Sequence, residues 1–290
     1  MLYICATPIG NLQDVTLRVL DTLGKVDLVA CEDTRHTRIL LDRHGISARL
    51  MSFHDQNEDQ RLAAVLPLLR EGKDVALVSD AGVPGLSDPG FSLVRACAAE
   101  GIPMTVLPGP SAVSTALVVS GIPADRFAFL GFLPRAAAKL VEQLAAFEGT
   151  GAALVAFESP RRLRASLRVI GGRWPDRRLA VCRELTKLHE EVVRGTAAEV
   201  LEKLADPVRG EIVLVMEARA RTGVRTRSPA SAAAQYELEE RARRALGQLL
   251  GLGVGTKRAA AIIAETVDLS VRRAYELALE AKSSGRAGGG

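Results

Sequence analysis

Three loops in this sequence are richer in glycine, proline, aspartate and serine than a simple connection requires. They are Thr7-Pro-Ile-Gly-Asn11, the stretch from Ser79 to Gly90 (SDAGVPGLSDPG), and Pro108-Gly-Pro-Ser-Ala112. Glycine at such places lets backbone amides and carbonyls approach a ligand with no Cβ in the way. A fourth segment, Glu32-Asp-Thr-Arg-His36, sets two carboxylates, a guanidinium and an imidazole close together. Glu32, Asp33 and His36 can accept a proton, and Arg35 with Arg38 can hold a phosphate. The same run also reads as a helix start, with Asp33 or Thr34 as its cap. Lys187 follows an Arg-Glu-Leu-Thr segment. Buried, with a lowered pKa, it would serve as a base; beside Glu184 and Glu190 it would be an ion pair. None of the loops is G-x-G-x-x-G or a P-loop, so dinucleotide and ATP binding lose their usual support.

The elements that must position these residues alternate. Strand candidates are Leu2–Ala6, Asp27–Cys31, Arg49–Ser52, Asp74–Ser79 and Pro103–Leu107, with helical patterns at Val15–Leu23, Thr37–His44, Gln60–Arg70 and Gly90–Glu100. This alternation predicts an α/β layer on a mainly parallel sheet. The three loops then leave the carboxyl ends of the first, fourth and fifth strands, the edge where open α/β sheets bind ligands. A second set follows Gly121-Ile-Pro123. Its strands are expected at Phe127–Leu130, Ala152–Phe157, Arg178–Cys182, Glu191–Gly195 and Glu211–Met216, and its helices at Arg135–Phe147, Pro160–Ile170 and Ala197–Ala205. The closeness of Arg178–Cys182 to Glu191–Gly195 suggests a hairpin, and hence a mixed second sheet. The expected organisation is an α/β domain over 1–120, a second over 121–218, a basic linker over 219–234, a small helical domain over 235–282 and a disordered tail over 283–290.

Composition sets the outer limits. The chain has 290 residues, 48% hydrophobic and 25% charged, as in globular domains rather than disordered or fibrous chains. No apolar run approaches the ~20 residues of a membrane span, and the start lacks the pattern of a signal peptide. Cys5, Cys31, Cys97 and Cys182 show no C-x-x-C spacing, so buried reduced thiols in a cytoplasmic protein are expected. The net charge of +4 is uneven: residues 219–290 carry 13 Lys/Arg against 7 Asp/Glu, a net of +6. Such an excess suggests an anionic partner, nucleic acid first, or else a solvated linker and helices.

The segments ATPIGNLQDVTLR, VACEDTRHTRILL, ALVSDAGVPGLSDPGF, LPGPSAV, GFLPR, FESPRR and RELTKLHEEVVRGT occur in this order. Together they resemble the ribosomal RNA small-subunit methyltransferase I family, within the tetrapyrrole methylase (class III) superfamily of S-adenosylmethionine enzymes. The resemblance covers residues 1–218 strongly and the tail more loosely. It implies two α/β domains with the methyl donor in the cleft between them, a homodimer, and methyl transfer to the ribose 2′-hydroxyl of a decoding-centre cytidine in 16S ribosomal RNA, free or in the 30S subunit. It also implies donor contacts at Pro8, Ser79, Asp80, Ala81, Gly82, Gly85, Ser111, Ala112, Glu158 and Leu185. The sequence departs from the family pattern at Val83, Gly85 and Arg161, where threonine, a bulkier residue and histidine are expected.

A sulfonium donor has a neutral leaving group, so no metal is needed. A ribose hydroxyl is a poor nucleophile and gains from a base, for which Glu32, Asp33, His36 and Lys187 are candidates for proton transfer or orientation. Arg35, Arg38, Lys257 and Arg258 are the expected RNA contacts. The last two follow Leu252-Gly-Val-Gly-Thr, whose glycines before a helix can offer amides to phosphate or simply cap helices. Competing readings are a tetrapyrrole or protein-side-chain methyltransferase of the same superfamily, and a non-catalytic ribosome-binding protein.

Overall fold

The computed structural model describes residues 1–85, 88–219, 232–267 and 269–286. The chain divides into two compact units that part within 220–231, a stretch outside the described residues together with most of the expected linker.

The larger unit holds two five-stranded sheets. The first comprises β1 (Leu2–Cys5), β2 (Leu28–Cys31), β3 (Leu50–Ser52), β4 (Val75–Val78) and β5 (Met104–Leu107), in the order β3-β2-β4-β1-β5 and parallel throughout. Its inner strands are short continuous apolar runs such as Leu-Val-Ala-Cys and Val-Ala-Leu-Val, buried on both faces. That composition is what helices on both sides of a parallel sheet require. α1 (Leu17–Leu23) and α2 (Thr34–Arg43) cover one face through Val19, Leu23, Leu40 and Leu41. α3 (Glu58–Arg70) and α4 (Phe91–Ala99) cover the other through Val65, Leu69, Leu93 and Cys97. The connection after β1 therefore leaves toward one face and that after β4 toward the other. These two neighbouring strands form a topological switch point, where a crevice opens at the carboxyl edge.

The second sheet comprises β6 (Phe127–Phe132), β7 (Ala153–Glu158), β8 (Leu179–Arg183), β9 (Glu191–Gly195) and β10 (Ile212–Met216), in the order β6-β7-β10-β8-β9. Only β6 and β7 are parallel; the expected hairpin of β8 and β9 is present, and the sheet is mixed. α6 (Ala137–Ala145), α7 (Pro160–Arg173) and α8 (Ala197–Lys203) bury one face around Trp174, Leu163 and Leu167. Thr196 and Glu199 start α8 with a reciprocal capping box, which satisfies two otherwise orphaned amides.

The other face of this sheet is covered by α5 (Ala112–Ser120), a helix absent from the sequence expectations. Its Val113, Thr115, Val118 and Val119 favour strand. Ala116 and Leu117 pack on Val155, Ala180 and Val213 instead, and the Arg194 Nε donates to the Ser120 carbonyl at 2.9 Å. Tertiary packing overrides local preference here. α5 follows directly on the first sheet's last strand but packs against the second sheet, so the two halves share a core.

The smaller unit contains α9 (Ala232–Gly251), α10 (Thr256–Thr266) and α11 (Val271–Arg286). Ala242, Leu246, Ala260, Ile263, Leu277 and Ala278 make its own core. The sequence predicts disorder from residue 283 onward, and the structure corrects this for 283–286. These four extend α11, since each residue added to a formed helix gains a backbone hydrogen bond. Residues 287–290 lie outside the described ones.

Candidate active site

The loop after β1 and the loop after β4 meet at the switch point. Thr7 and Gly82 exchange backbone hydrogen bonds, Thr7 N to Gly82 O at 2.8 Å and Gly82 N to Thr7 O at 3.1 Å. The Thr7 hydroxyl also donates to the Ser79 carbonyl at 3.0 Å. Gly82 has φ +78°, Gly85 +83° and Gly90 +114°, all in the left-handed region that favours glycine. At Gly90 a Cβ would also stand 2.7 Å from a Leu77 methyl. Gly82 is thus held by Thr7, and Gly90 by Glu58, whose Oε1 accepts from the Gly90 amide at 3.3 Å.

A cavity of about 320 Å³ lies between these loops and the second sheet. From the first half come Ile9, Ala81, Gly82, Val83, Asp88 and the α5 start at Ser111 and Ala112; from the second come Phe132, Glu158, Leu185, Gly210 and Glu211 among others. Its size and mainly apolar wall with few polar groups suit a small-molecule site. Six of the ten expected donor-contact positions line it: Ala81, Gly82, Ser111, Ala112, Glu158 and Leu185. Pro8, Ser79 and Asp80 do not. They border a smaller cleft of about 20 Å³ beside His36. Gly85 lines neither and shapes the loop. Asp88, Phe132 and Glu211 were missed by sequence reasoning. Asp88 sits in a Ser-Asp-Pro-Gly string that reads as a turn, whereas Phe132 lies in the GFLPR segment and could have been found there.

The carboxyl edge of the first sheet collects acids. Asp80 Oδ1 accepts from the Asp33 amide at 3.1 Å, the Asp80 amide donates to Glu32 at 3.3 Å, and His36 Nδ1 lies 3.7 Å from Asp80 Oδ2. Burial pushes Glu32 above the usual carboxylate range; the Asp80 amide opposes this, and the charges of Asp80, Asp55 and Asp33 add to it. Asp33 is different. It caps α2, accepting from the Arg35 amide at 2.8 Å, and holds the Arg35 guanidinium through two further bonds. Those bonds pull its carboxyl down to about 2. As a spent cap it is a poor proton acceptor, so the structure corrects the expectation of a base at Asp33. Arg35 is correspondingly engaged, while Arg38 is exposed on the same helix.

The second half contributes neutralised groups. The Glu158 carboxylate is fully buried and accepts from the Ser159 amide, the Ser166 hydroxyl and Arg162, whose Nε lies at 2.8 Å. Arg162 also donates to the Leu133 carbonyl at 2.8 Å, tying the GFLPR segment to β7. Lys187 Nζ bonds Glu184 at 2.9 Å and Glu211 at 3.0 Å. Burial works against its charge, yet those two bonds outweigh it and hold the ammonium above its ordinary range. The structure thus corrects the reading of Lys187 as a base with lowered pKa: it is an ion-paired cation. Its turn is strained, with Glu184 at φ +51° and Thr186 at φ +67°, and it holds Leu185 against the cavity. Burial pushes the Cys182 thiol, also on the wall, up to about 12, so it is no nucleophile.

In the smaller unit, Lys257 and Arg258 are exposed in the first turn of α10, after Gly253 and Gly255. Among the described residues no cluster of His, Cys, Asp and Glu is arranged to hold a metal, and no helix is long and apolar enough to cross a membrane.

The family of tetrapyrrole (corrin/porphyrin) methylases matches residues 1–201. The chain is 46% identical over 220 residues to the ribosomal RNA small subunit methyltransferase I of Thermotoga maritima, covering 75% of this chain and 98% of that one. It is 41% identical over 283 residues to the protein of that name from Escherichia coli O157:H7, covering 96% and 94%. Among solved structures, it is similar to the methyltransferase CobJ, with TM-score 0.57, 18% identity, and coverage of 75% of this chain and 93% of that one. It is also similar to uroporphyrin-III-C-methyltransferase from Thermus thermophilus, with TM-score 0.52, 22% identity and coverage of 74% and 93%. These two likenesses carry the fold, and the near full-length relatives carry the family. The chain belongs to the ribosomal RNA small subunit methyltransferase I family of tetrapyrrole methylases.

Proposed function

We propose that this protein is an S-adenosylmethionine-dependent methyltransferase that modifies the ribose 2′-hydroxyl of a decoding-centre cytidine in 16S ribosomal RNA. The observation that carries this reading is the 320 Å³ cavity between the two sheets, in a chain whose near full-length relatives bear the name ribosomal RNA small subunit methyltransferase I. The residues present fit the donor. Ala81, Ala112, Phe132 and Leu185 offer apolar walls to a nucleoside. Ser111 and the ion-paired Glu158 and Glu211 add a few polar groups that can orient a polar ligand on this wall.

When bound, the donor supplies an activated methyl group with a neutral leaving group. The chain's own residues do the rest. The cavity wall fixes the orientation of the ligand, and correct placement of reacting groups alone removes several kcal/mol from a barrier. Glu32 and His36, at the first sheet's edge, orient the acceptor ribose. Arg35, once released from Asp33, and Arg38, Lys257 and Arg258 hold RNA phosphates. The protein acts as a homodimer in the cytoplasm, on free small-subunit RNA or the assembled 30S particle.

The test is transfer from methyl-labelled S-adenosylmethionine to unmethylated small subunits and to their free RNA, followed by nucleoside analysis. Label on a cytidine ribose is the expected result. Donor binding without transfer to either RNA would move the acceptor to a tetrapyrrole or a protein side chain. Failure to bind the donor would leave a non-catalytic ribosome-binding protein.

A further inference from the structure

Methyl transfer to a hydroxyl releases a proton, and the group that takes it must border the donor. The cavity wall holds three carboxylates, Asp88, Glu158 and Glu211. Two of them are already matched with cations: Glu158 lies against Arg162, and Glu211 against Lys187 at 3.0 Å. Asp88 is the third. Among the described residues no cation pairs with it, and the Ser79 side chain is the polar group beside it that favours its charged form. It also faces the acidic edge of the first sheet, where Glu32, Asp80 and Asp55 are its charged neighbours. Asp88 thus stands between the place assigned to the donor and the place assigned to the ribose.

On the reading of this chain as a ribose methyltransferase, we propose that Asp88 is the general base that accepts the proton of the 2′-hydroxyl. The step balances without further reactants. The ribose oxygen forms a bond to the methyl carbon as the carbon–sulfur bond breaks. The electron pair of that bond stays on sulfur and cancels its positive charge, and the hydroxyl proton passes to the Asp88 carboxylate. Bulk water then removes the proton for the next turnover. The loop geometry supports the assignment. The Thr7–Gly82 bridge and the hydrogen bond from the Gly90 amide to Glu58 hold the described residues on either side of Asp88. Burial, then the charge of Glu32, with smaller additions from Asp80 and Asp55, push this carboxyl up to about 6, against the lowering effect of Ser79. A base with that value is ionised at neutral pH while keeping more proton affinity than an ordinary aspartate.

The experiment compares wild type, Asp88→Asn and Asp88→Glu as full-length proteins, in three measurements. In single-turnover methylation of small subunits, Asp88→Asn should lose about 10²- to 10⁴-fold in rate, with partial recovery in Asp88→Glu. The wild-type rate should rise with pH and level off above about 6, a limb missing in Asp88→Asn. S-adenosylhomocysteine affinity, by calorimetry, should be retained in all three. In the protein without ligand, carbon-13 NMR of labelled aspartates should show a carboxyl titrating near 6 that vanishes in Asp88→Asn. An Asp88→Asn enzyme as fast as wild type overturns the proposal. So does a loss of donor affinity as large as the loss of rate, or the absence of the elevated carboxyl. A wild-type protein that binds S-adenosylhomocysteine but leaves every ribose unmethylated overturns the functional reading itself, and the base assignment falls with it.

Discussion

The half built on the parallel sheet meets the cavity with glycine-rich loops, whereas the half built on the mixed sheet meets it with strand ends and closed ion pairs. On the first side, Asp88 and Glu32 lack a neutralising cation among the described residues, and their carboxyls rise above the ordinary range. On the second, Glu158 and Glu211 are tied to Arg162 and Lys187, and Glu184 is held below the ordinary range by the Glu211 amide and Lys187. The contrast follows from the elements. A parallel sheet gathers loops at one edge, so acids after β2 and β4 crowd together. An antiparallel hairpin with its neighbour brings residues distant in sequence side by side, as Lys187 and Glu211 are. One half presents acids with no paired cation among the described residues, the other a wall of ion-paired ones.

The largest effect should come from opening the ion-paired wall. Arg162→Met leaves the Glu158 carboxylate buried and unpaired, which costs about 3–5 kcal/mol. Thermal and denaturant unfolding should report that loss, and a change below about 1 kcal/mol would break the comparison. Next comes the loop after β4. Gly90→Val forces a β-branched residue into φ +114° and against Leu77, at a cost of about 2–4 kcal/mol. Donor affinity should fall with it, measured by calorimetry.

Asp88→Asn should have a smaller effect of opposite sign. The native carboxyl titrates near 6 against 3.8 as its unperturbed value, so its ionisation opposes folding. The penalty is absent below the unfolded value, grows across the window between the two, and is complete above about 6. At full burial two units would be about 3 kcal/mol; with the group partly in solvent, about 1 kcal/mol remains. The variant should therefore melt higher than wild type at pH 7.5 and at the same temperature near pH 3. Equal melting at both would place Asp88 among ordinary surface acids.

The smallest expected changes are on the outside. Arg38→Gln and Arg258→Gln should each reduce the slope of log affinity against log salt for small-subunit RNA by about 1, leaving donor binding alone. An unchanged slope in either variant removes that residue from the RNA contacts.

Much of this arrangement is legible in the chain. Uniformly apolar Leu-Val-Ala-Cys and Val-Ala-Leu-Val announce buried parallel strands, and the loops after them announce the ligand edge. The i, i+4 spacing of Glu158 and Arg162 is also readable. Other features need the fold. Lys187 cannot be read as a wall cation from its own segment, because Glu211 is 24 residues away in sequence. α5 is hidden because its β-branched residues gain their stability from a sheet that forms later in the chain. Asp88 is hidden in turn chemistry, and its character comes from Glu32, Asp80 and Asp55, which lie in other loops.

The most direct measurement is a crystal structure of the protein grown with S-adenosylhomocysteine. Density for the nucleoside against Ala112 and Leu185, with the thioether sulfur opening toward Asp88, is the predicted result. Ordered ligand outside this cavity, or a cavity that stays empty while calorimetry shows tight binding, would contradict the assignment of the donor site and the division of work between the two halves.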